Sequence, residues 1–130
     1  MAVYLDSSAI VKLVVREAES AALRRFIDGE RPWVTSALAR TEVLRAVQPG
    51  GTLVFDRAQV VLEAMAEVVV TRNVLDHAGR LDPKVSLRSL DAIHIASALR
   101  VQHLVGSVVT YDHRMGTAAE AMGLVVVAPS

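Results

Sequence analysis

The chain has 130 residues, a length that suits a single domain with a hydrophobic core of its own. Fourteen basic and fourteen acidic residues give a net charge of zero, so the molecule as a whole does not attract nucleic acid electrostatically. Any binding of RNA or DNA must therefore use a local basic patch. With only five aromatic residues, a large base-stacking platform is excluded.

Hydropathy and cysteine content bear on the compartment. The hydrophobic fraction is 52% and the mean hydropathy is +0.38, values that parallel strands with two apolar faces or a partner-covered surface would explain. No uninterrupted apolar segment approaches the roughly 20 residues of a membrane span, and no basic region precedes an apolar core at the N-terminus. Because cysteine is absent, disulfides and thiolate metal sites are excluded. We expect a cytoplasmic protein without membrane association.

Strand and helix patterns alternate along the chain. The first part is predicted to contain strand 3–5, helix 9–15 capped by Ser7-Ser8, helix 17–27, strand 33–35 and a helix that Ser36 caps and that carries Glu42. After a break at 49–51, the predicted elements are helix 54–65, strand 68–70, a helix from Asn73 to Leu81, helix 89–99 capped by Ser89, strand 105–110, helix 114–122 and strand 124–127. The intervals between strands allow crossover connections, so we expect one α/β domain over residues 1–130 with a mainly parallel, helix-covered sheet.

Four acidic residues lie where an apolar stretch meets a helix or a loop: Asp6, Glu42, Asp91 and Asp112. Asp6 and Asp112 each follow an apolar strand, and the carboxyl ends of parallel strands meet at one edge of a sheet. Four clustered carboxylates repel one another unless they are neutralised, usually by a hard divalent cation with oxygen ligands. The pattern predicts a metal-dependent enzyme that acts on phosphate esters.

Each of these acids also has an ordinary structural explanation. Asp6 and Asp112 occupy positions typical of helix N-caps, and Asp91 lies in a first helical turn, where a carboxylate interacts well with the helix dipole. Glu42 has the spacing of a solvent-facing helix residue. The apolar neighbours of Glu42 and Asp91 nevertheless indicate that both carboxylates border a buried region, where a partner is required.

Other polar residues are weaker candidates. Ser7 directly follows Asp6, and Thr110 lies two residues before Asp112. Each hydroxyl can bind a carboxylate, a water or a phosphate, or the residue can serve only as a helix cap or a strand residue. His94 shares a helix face with Asp91, but a single histidine is more often a packed core residue than a metal ligand. Candidate phosphate or RNA contacts, which are by default solvated surface residues, are Lys12, Arg16, Arg40, Arg45, Arg88, His113 and Arg114.

Four segments together resemble PIN-domain proteins, and most closely VapC-type toxins of bacterial toxin–antitoxin modules. In order along the chain they are residues 3–9 (VYLDSSA), 41–43 (TEV), 89–96 (SLDAIHIA) and 110–112 (TYD). No one segment is specific, whereas the four in this order and spacing are. Residues 50–84 carry no family motif and leave the choice of substrate open.

The resemblance implies a three-layer α/β/α sandwich and a Mg²⁺- or Mn²⁺-dependent endoribonuclease. It assigns Asp6, Glu42, Asp91 and Asp112 to the acidic metal-binding cluster, with Thr110 as the hydroxyl residue beside the last acid. It also implies a homodimer and a cognate antitoxin that blocks the active site. RNA would be the substrate.

The mechanism expected from the charges is hydrolysis by metal-activated water, which leaves a 5′-phosphate and a 3′-hydroxyl. Asp6 and Asp91 are the expected direct ligands, Asp112 a direct or water-mediated ligand, and Glu42 the residue that positions the metal or the water. Two alternatives stay open. One is phosphotransfer with Asp6 as nucleophile, although haloacid-dehalogenase-like enzymes place a second aspartate where Ser8 stands. The other is a non-catalytic module whose acidic pocket binds a basic partner.

Overall fold

The computed structural model describes all of residues 1–130, in which five strands alternate with seven helices. A 3₁₀ turn at Gln48–Gly50 lies between the third and fourth helices, and none of the helices combines the length and apolar character that crossing a bilayer requires. The elements are β1 (Ala2–Leu5), α1 (Ser7–Val14), α2 (Ser20–Ile27), β2 (Trp33–Ser36), α3 (Ala39–Val47), α4 (Thr52–Glu63), β3 (Ala66–Val68), α5 (Arg72–Gly79), α6 (Ser89–Arg100), β4 (Val105–Val109), α7 (His113–Ala121) and β5 (Val126–Val127).

The strands form one sheet in the order β3-β2-β1-β4-β5, and every neighbouring pair is parallel. From the central β1 the chain fills one side of the sheet with β2 and β3, then crosses over to β4 and β5. The strand order therefore reverses between β1 and β4, and in open parallel sheets ligands bind beyond the carboxyl ends at such a point. The prediction of a mainly parallel α/β sheet is confirmed.

Helices cover both faces of the sheet. Successive side chains of a strand point to opposite faces; accordingly Val3 and Leu5 pack in a core with residues of α1, α3 and α4. Tyr4 packs on the other face with residues of α6 and α7. All four residues of β1 are buried, as expected for a central strand between two helical layers. The predicted three-layer α/β/α arrangement is confirmed.

The structure corrects several predicted helix starts. Asp6, not Ser7-Ser8, caps α1, because its carboxylate accepts a hydrogen bond from the backbone N–H of Ala9. Thr71 instead of Asn73 caps α5 in the same way. The predicted cap Ser89 is the first residue of α6, and no side chain caps that helix.

Two further boundaries depend on contacts between strands. The predicted strand 68–70 lies at Ala66–Val68, since pairing with β2 sets Val34 against Ala66 and Ser36 against Val68. Ser36 is consequently a buried strand residue, and α3 begins only at Ala39. A local apolar run does not reveal which of its residues pair, because register is set by the neighbouring strand.

Candidate active site

The four predicted acids lie at the carboxyl edge of the sheet. Asp6 directly follows β1, and Asp112 follows the adjacent β4 and caps α7. Glu42 lies in the first turn of α3, which follows β2, and Asp91 lies in the first turn of α6. Burial raises the pKa of Asp91, and the negative charges of Asp112, Glu42 and Asp6 raise it further, so these three carboxylates lie within electrostatic reach of Asp91.

Asp6 is the most rigidly held of the four. Its side chain is only 4% exposed, and its Oδ1 accepts hydrogen bonds from Ser8 Oγ at 2.6 Å and from the Ala9 N–H at 3.0 Å. Its Oδ2 accepts one from Thr110 Oγ1 at 2.6 Å. Burial raises the pKa of Asp6, and these hydrogen bonds lower it in part. Asp6 is therefore a helix cap and a buried carboxylate at once.

Two hydroxyl groups connect the ends of β1 and β4. Thr110 donates to Asp6 and accepts a hydrogen bond from the Asp112 N–H at 3.1 Å. Ser8 donates to Asp6 and accepts from the Tyr111 N–H at 3.0 Å. Thr110 was a sequence candidate, whereas Ser8 was missed as a partner of Asp6; its position two residues after that acid, in the first turn of a helix, was the available signal.

Glu42 is held through one of its two oxygens. Its Oε1 accepts hydrogen bonds from Ser7 Oγ and from His94 Nε2, each at 2.6 Å, whereas Oε2 has no partner in the chain. Burial alone would raise the pKa of Glu42, but the hydrogen bonds from His94 and Ser7 outweigh it and lower the pKa. Glu42 thus stays ionised with one oxygen free to face a ligand.

His94 is a buried histidine, as expected, but its role extends beyond packing. It is 2% exposed, and both ring nitrogens are hydrogen-bonded, Nε2 to Glu42 and Nδ1 to the hydroxyl of Tyr4 at 2.8 Å. This connection, and the part of Tyr4 in it, were not predicted from the sequence. The available signals were the shared helix face of His94 and Asp91 and the shared strand face of Tyr4 and Asp6.

Asp91 and Asp112 retain unused carboxylate oxygens. Burial raises the pKa of Asp91, the charge of Asp112 raises it further, and no hydrogen bond from the chain stabilises its ionised form. Asp112 is exposed and uses only Oδ1 in accepting from the Met115 N–H. No group of three or more acidic or histidine side chains is closed into a ready metal site.

The donor chemistry nevertheless fits a hard divalent cation. The unused atoms of the four acids are carboxylate oxygens, the nearby hydroxyls are oxygens too, and both ring nitrogens of the buried His94 are occupied. An oxygen-only set of this kind suits Mg²⁺ or Mn²⁺ better than a softer metal. The repulsion on Asp91 is a second sign, because a bound cation would remove it.

Among the predicted basic residues, Lys12 and Arg40 form ion pairs, whereas Arg16, Arg45, Arg88 and Arg114 are exposed and form none. Lys12 is paired with Glu19 at 3.0 Å, and Arg40 with Glu63 at 3.4 Å, so both charges are compensated within the chain. Arg88 and Arg114, in contrast, are exposed, form no ion pair, and lie next to α6 and in α7, the helices whose starts carry Asp91 and Asp112. A cleft of about 670 Å³ beside Asp112 is lined by Lys84, Ser86, His113, Arg114 and other residues.

The sequence comparisons define the class of this protein. The family model of the PIN domain matches residues 3–121. The chain belongs to the PIN-domain family. It is 50% identical over 129 residues to Ribonuclease VapC46 of Mycobacterium tuberculosis (strain ATCC 25618 / H37Rv), covering 99% of this chain and 98% of that protein. With Ribonuclease VapC35 of the same species (strain CDC 1551 / Oshkosh), the identity is 40%, covering 98% and 96%. Within the family, the chain is of the VapC type.

The solved structures agree on the fold. The Mycobacterium tuberculosis VapC20 toxin, described as cleaving the sarcin–ricin loop, superposes with a TM-score of 0.78 at 17% identity, over 98% of this chain and 99% of that one. A toxin–antitoxin complex from Klebsiella pneumoniae has a chain that superposes with a TM-score of 0.75 at 16% identity, over 98% of each chain. At such identities the likeness concerns the fold.

Proposed function

We propose that this chain is the endoribonuclease toxin of a toxin–antitoxin module and that it hydrolyses RNA phosphodiester bonds with the help of Mg²⁺ or Mn²⁺. Residues 1–130 would act as one nuclease domain in the cytoplasm. The observation that carries the proposal is the placement of four carboxylates at the carboxyl edge of the sheet in a VapC-type chain. Burial, and then the charges of the other three acids, raise the pKa of Asp91 there.

Each acid has a distinct role in this proposal. Asp6, whose Oδ2 accepts a single hydrogen bond, and Asp91, which has no hydrogen-bond partner, would be the direct ligands of the cation. Asp112 would hold it directly or through a water with its unused oxygen, and Glu42 would position the cation or the attacking water through Oε2. The bound cation would supply Lewis-acid chemistry, in which it activates water and neutralises charge developing on the phosphate.

Ser7 and Thr110 support these acids without reacting. Ser7 donates to Glu42 and Thr110 donates to Asp6, so each hydroxyl fixes the direction in which one carboxylate presents its remaining lone pairs.

The ends of the RNA products test the reaction. We expect cleavage by the purified, antitoxin-free chain in Mn²⁺ to leave 5′-phosphate and 3′-hydroxyl ends, because water rather than the ribose 2′-hydroxyl attacks the phosphorus. Ligation of adaptors that require each type of end, followed by sequencing, identifies the ends and the cleavage site. Products that end in a 2′,3′-cyclic phosphate would contradict hydrolysis by activated water.

Arg88 and Arg114 are the cations that we expect to contact RNA. In an Asp91→Asn background, which binds without cleaving, replacing both by alanine should weaken RNA binding and reduce the slope of log K against log salt by about 1.4, since each lost phosphate contact on a single strand is worth about 0.7. Fluorescence anisotropy over a salt series measures this slope.

Arg100 provides the matched control for that experiment. It is exposed, forms no ion pair and closes the same helix, α6, roughly 18 Å from Arg88 by the helical rise. Arg100→Ala should leave the affinity and the slope unchanged. A slope reduction of about 0.7 in the Arg100→Ala variant, the same per arginine as in the double variant, would show that only the net charge matters and would refute the proposed RNA path.

The partners follow from the comparisons and from the surface. Because the fold neighbours include a toxin–antitoxin complex, an antitoxin is the expected protein partner, and we propose a homodimer in addition. Large apolar side chains are well exposed on α4, where Leu53 and Val60 are 82% and 70% exposed, and at Leu75 of α5. Surfaces of this kind are typical of protein–protein contacts.

A further inference from the structure

We propose that Tyr4 and His94 form a buried relay that fixes the orientation of the Glu42 carboxylate, and that both are positioning residues for the reaction. The inference rests on the proposed nuclease function. The Tyr4 hydroxyl lies 2.8 Å from His94 Nδ1, and His94 Nε2 lies 2.6 Å from Glu42 Oε1. Tyr4 is fully buried and His94 nearly so, whereas Glu42 reaches the surface.

The chemistry of the three groups gives the relay a direction. An ionised carboxylate only accepts hydrogen bonds, so His94 must carry its proton on Nε2 and donate it to Glu42. In the neutral imidazole Nδ1 is then unprotonated, and the Tyr4 hydroxyl donates to it and selects that tautomer. Because Ser7 also donates to Oε1, both restraints act on one oxygen, and Oε2 is left without a partner in the chain.

The relay also joins three elements that carry the acids. Tyr4 lies on β1, which ends at Asp6, His94 lies one helical turn after Asp91 on α6, and Glu42 lies on α3. Because α3 and α6 cover opposite faces of the sheet, the bond between His94 and Glu42 crosses the sheet edge. The position of Glu42 relative to Asp6 and Asp91 therefore depends on His94.

Packing alone does not account for these side chains. A buried imidazole and a buried phenol hydroxyl both lose their hydration, which an aliphatic side chain of similar volume would avoid. Here the lost hydration is replaced by a chain of hydrogen bonds that ends on a proposed functional carboxylate. Outer partners that orient metal-site side chains typically change metal affinity or activity by 10- to 100-fold when they are replaced.

The test compares His94→Leu, His94→Gln and Tyr4→Phe with the wild type. We expect His94→Leu to lower both Mn²⁺ affinity, measured by calorimetry, and kcat by about 10- to 100-fold, with KM for RNA within about twofold. His94→Gln, which restores an N–H donor toward Glu42, should recover most of either loss. Tyr4→Phe should cause a smaller loss, because the imidazole keeps its bond to Glu42 but not its fixed tautomer.

Ile95→Val is the control for a purely structural effect. Ile95 is a fully buried neighbour of His94 on α6, and shortening it lowers stability without touching Glu42. If His94→Leu keeps wild-type Mn²⁺ affinity and kcat, or if His94→Gln is as impaired as His94→Leu, the relay is refuted.

A spectroscopic readout separates this proposal from the proposed function. Nitrogen-15 NMR of the imidazole in the metal-free wild type should show a single tautomer protonated at Nε2, and Tyr4→Phe should perturb it. A mixture of tautomers in the wild type would overturn the relay. A wild type that neither cleaves RNA nor binds Mn²⁺ would overturn the nuclease instead, whatever the tautomer of His94.

Discussion

Asp91→Asn is expected to reduce RNA cleavage by more than about a hundredfold, because it removes a proposed direct ligand of the cation. Replacing a residue that only orients such a ligand already lowers metal affinity or activity by about 10- to 100-fold. The substitution keeps the size of the side chain and its place in the first turn of α6. The same change should make the metal-free chain more stable, since burial and the charges of Asp112, Glu42 and Asp6 all disfavour the ionised Asp91. Initial cleavage rates and urea unfolding measure the two effects.

The gain in stability should depend on pH in a defined direction. Burial and repulsion raise the pKa of Asp91 in the folded chain, so the folded state binds this proton more tightly than the unfolded chain does. At a pH above the pKa that Asp91 has in the folded chain, its ionised carboxylate therefore lowers the free energy of unfolding of the wild type. This destabilisation disappears as the pH falls below the pKa of an aspartate in the unfolded chain, about 3.9. We expect a gain of up to about 1 kcal/mol at pH 7, limited by solvent screening.

Asp56→Asn is the matched control for these measurements. Asp56 lies exposed on α4 and forms no ion pair. Its replacement should therefore change neither the cleavage rate nor the free energy of unfolding, at pH 7 or at acidic pH. An Asp91→Asn variant that cleaves RNA like the wild type would remove Asp91 from the reaction. A variant that is less stable than the wild type at pH 7 would show that the carboxylates do not repel in the folded chain.

A divalent cation is expected to raise the melting temperature of the wild type substantially. The unfolded chain does not hold the four carboxylates together, so binding stabilises the folded state by about 2.7 kcal/mol at a hundred times the dissociation constant, or roughly 10 °C for a domain of this size. Thermal unfolding in Mn²⁺ or Mg²⁺, compared with Na⁺ at equal ionic strength, measures the shift.

The shift should be lost together with the ligands. The double variant Asp6→Asn with Asp91→Asn is expected to melt at the same temperature with and without Mn²⁺. The two carboxylates that it retains provide too little negative charge to bind a hard cation tightly. A shift in this double variant equal to that of the wild type would place the cation elsewhere on the chain.

The layered fold was predictable because short stretches of the sequence indicate the strands and helices from which it is built. Apolar runs separated by helical stretches indicated a parallel sheet between helices, and strand ends carrying Asp6 and Asp112 indicated where a site would form. Exact helix starts were less predictable. Asp6, Ser7 and Ser8 are all good capping residues, and the sequence does not show which of them bonds to the backbone N–H three residues further on. In the structure Asp6 is the residue that caps α1.

The supporting contacts of the site were hidden from sequence because they join residues far apart in the chain. His94 reaches Glu42 across 52 positions, and Thr110 reaches Asp6 across 104. The shared helix face of His94 and Asp91 indicated that the imidazole lies near the site, but not that Glu42 would be its partner. The ion pair between Arg40 and Glu63, which compensates a predicted RNA-binding charge, is of the same long-range kind.

The most direct test of a metal-dependent nuclease is to follow RNA cleavage by one purified preparation in Mn²⁺, then in excess EDTA, and then after Mn²⁺ is restored. The account predicts cleavage at discrete positions that stops in EDTA and returns with Mn²⁺, while circular dichroism shows a folded chain throughout. Cleavage at the same positions and rate in EDTA would contradict the central role given to Asp6, Glu42, Asp91 and Asp112.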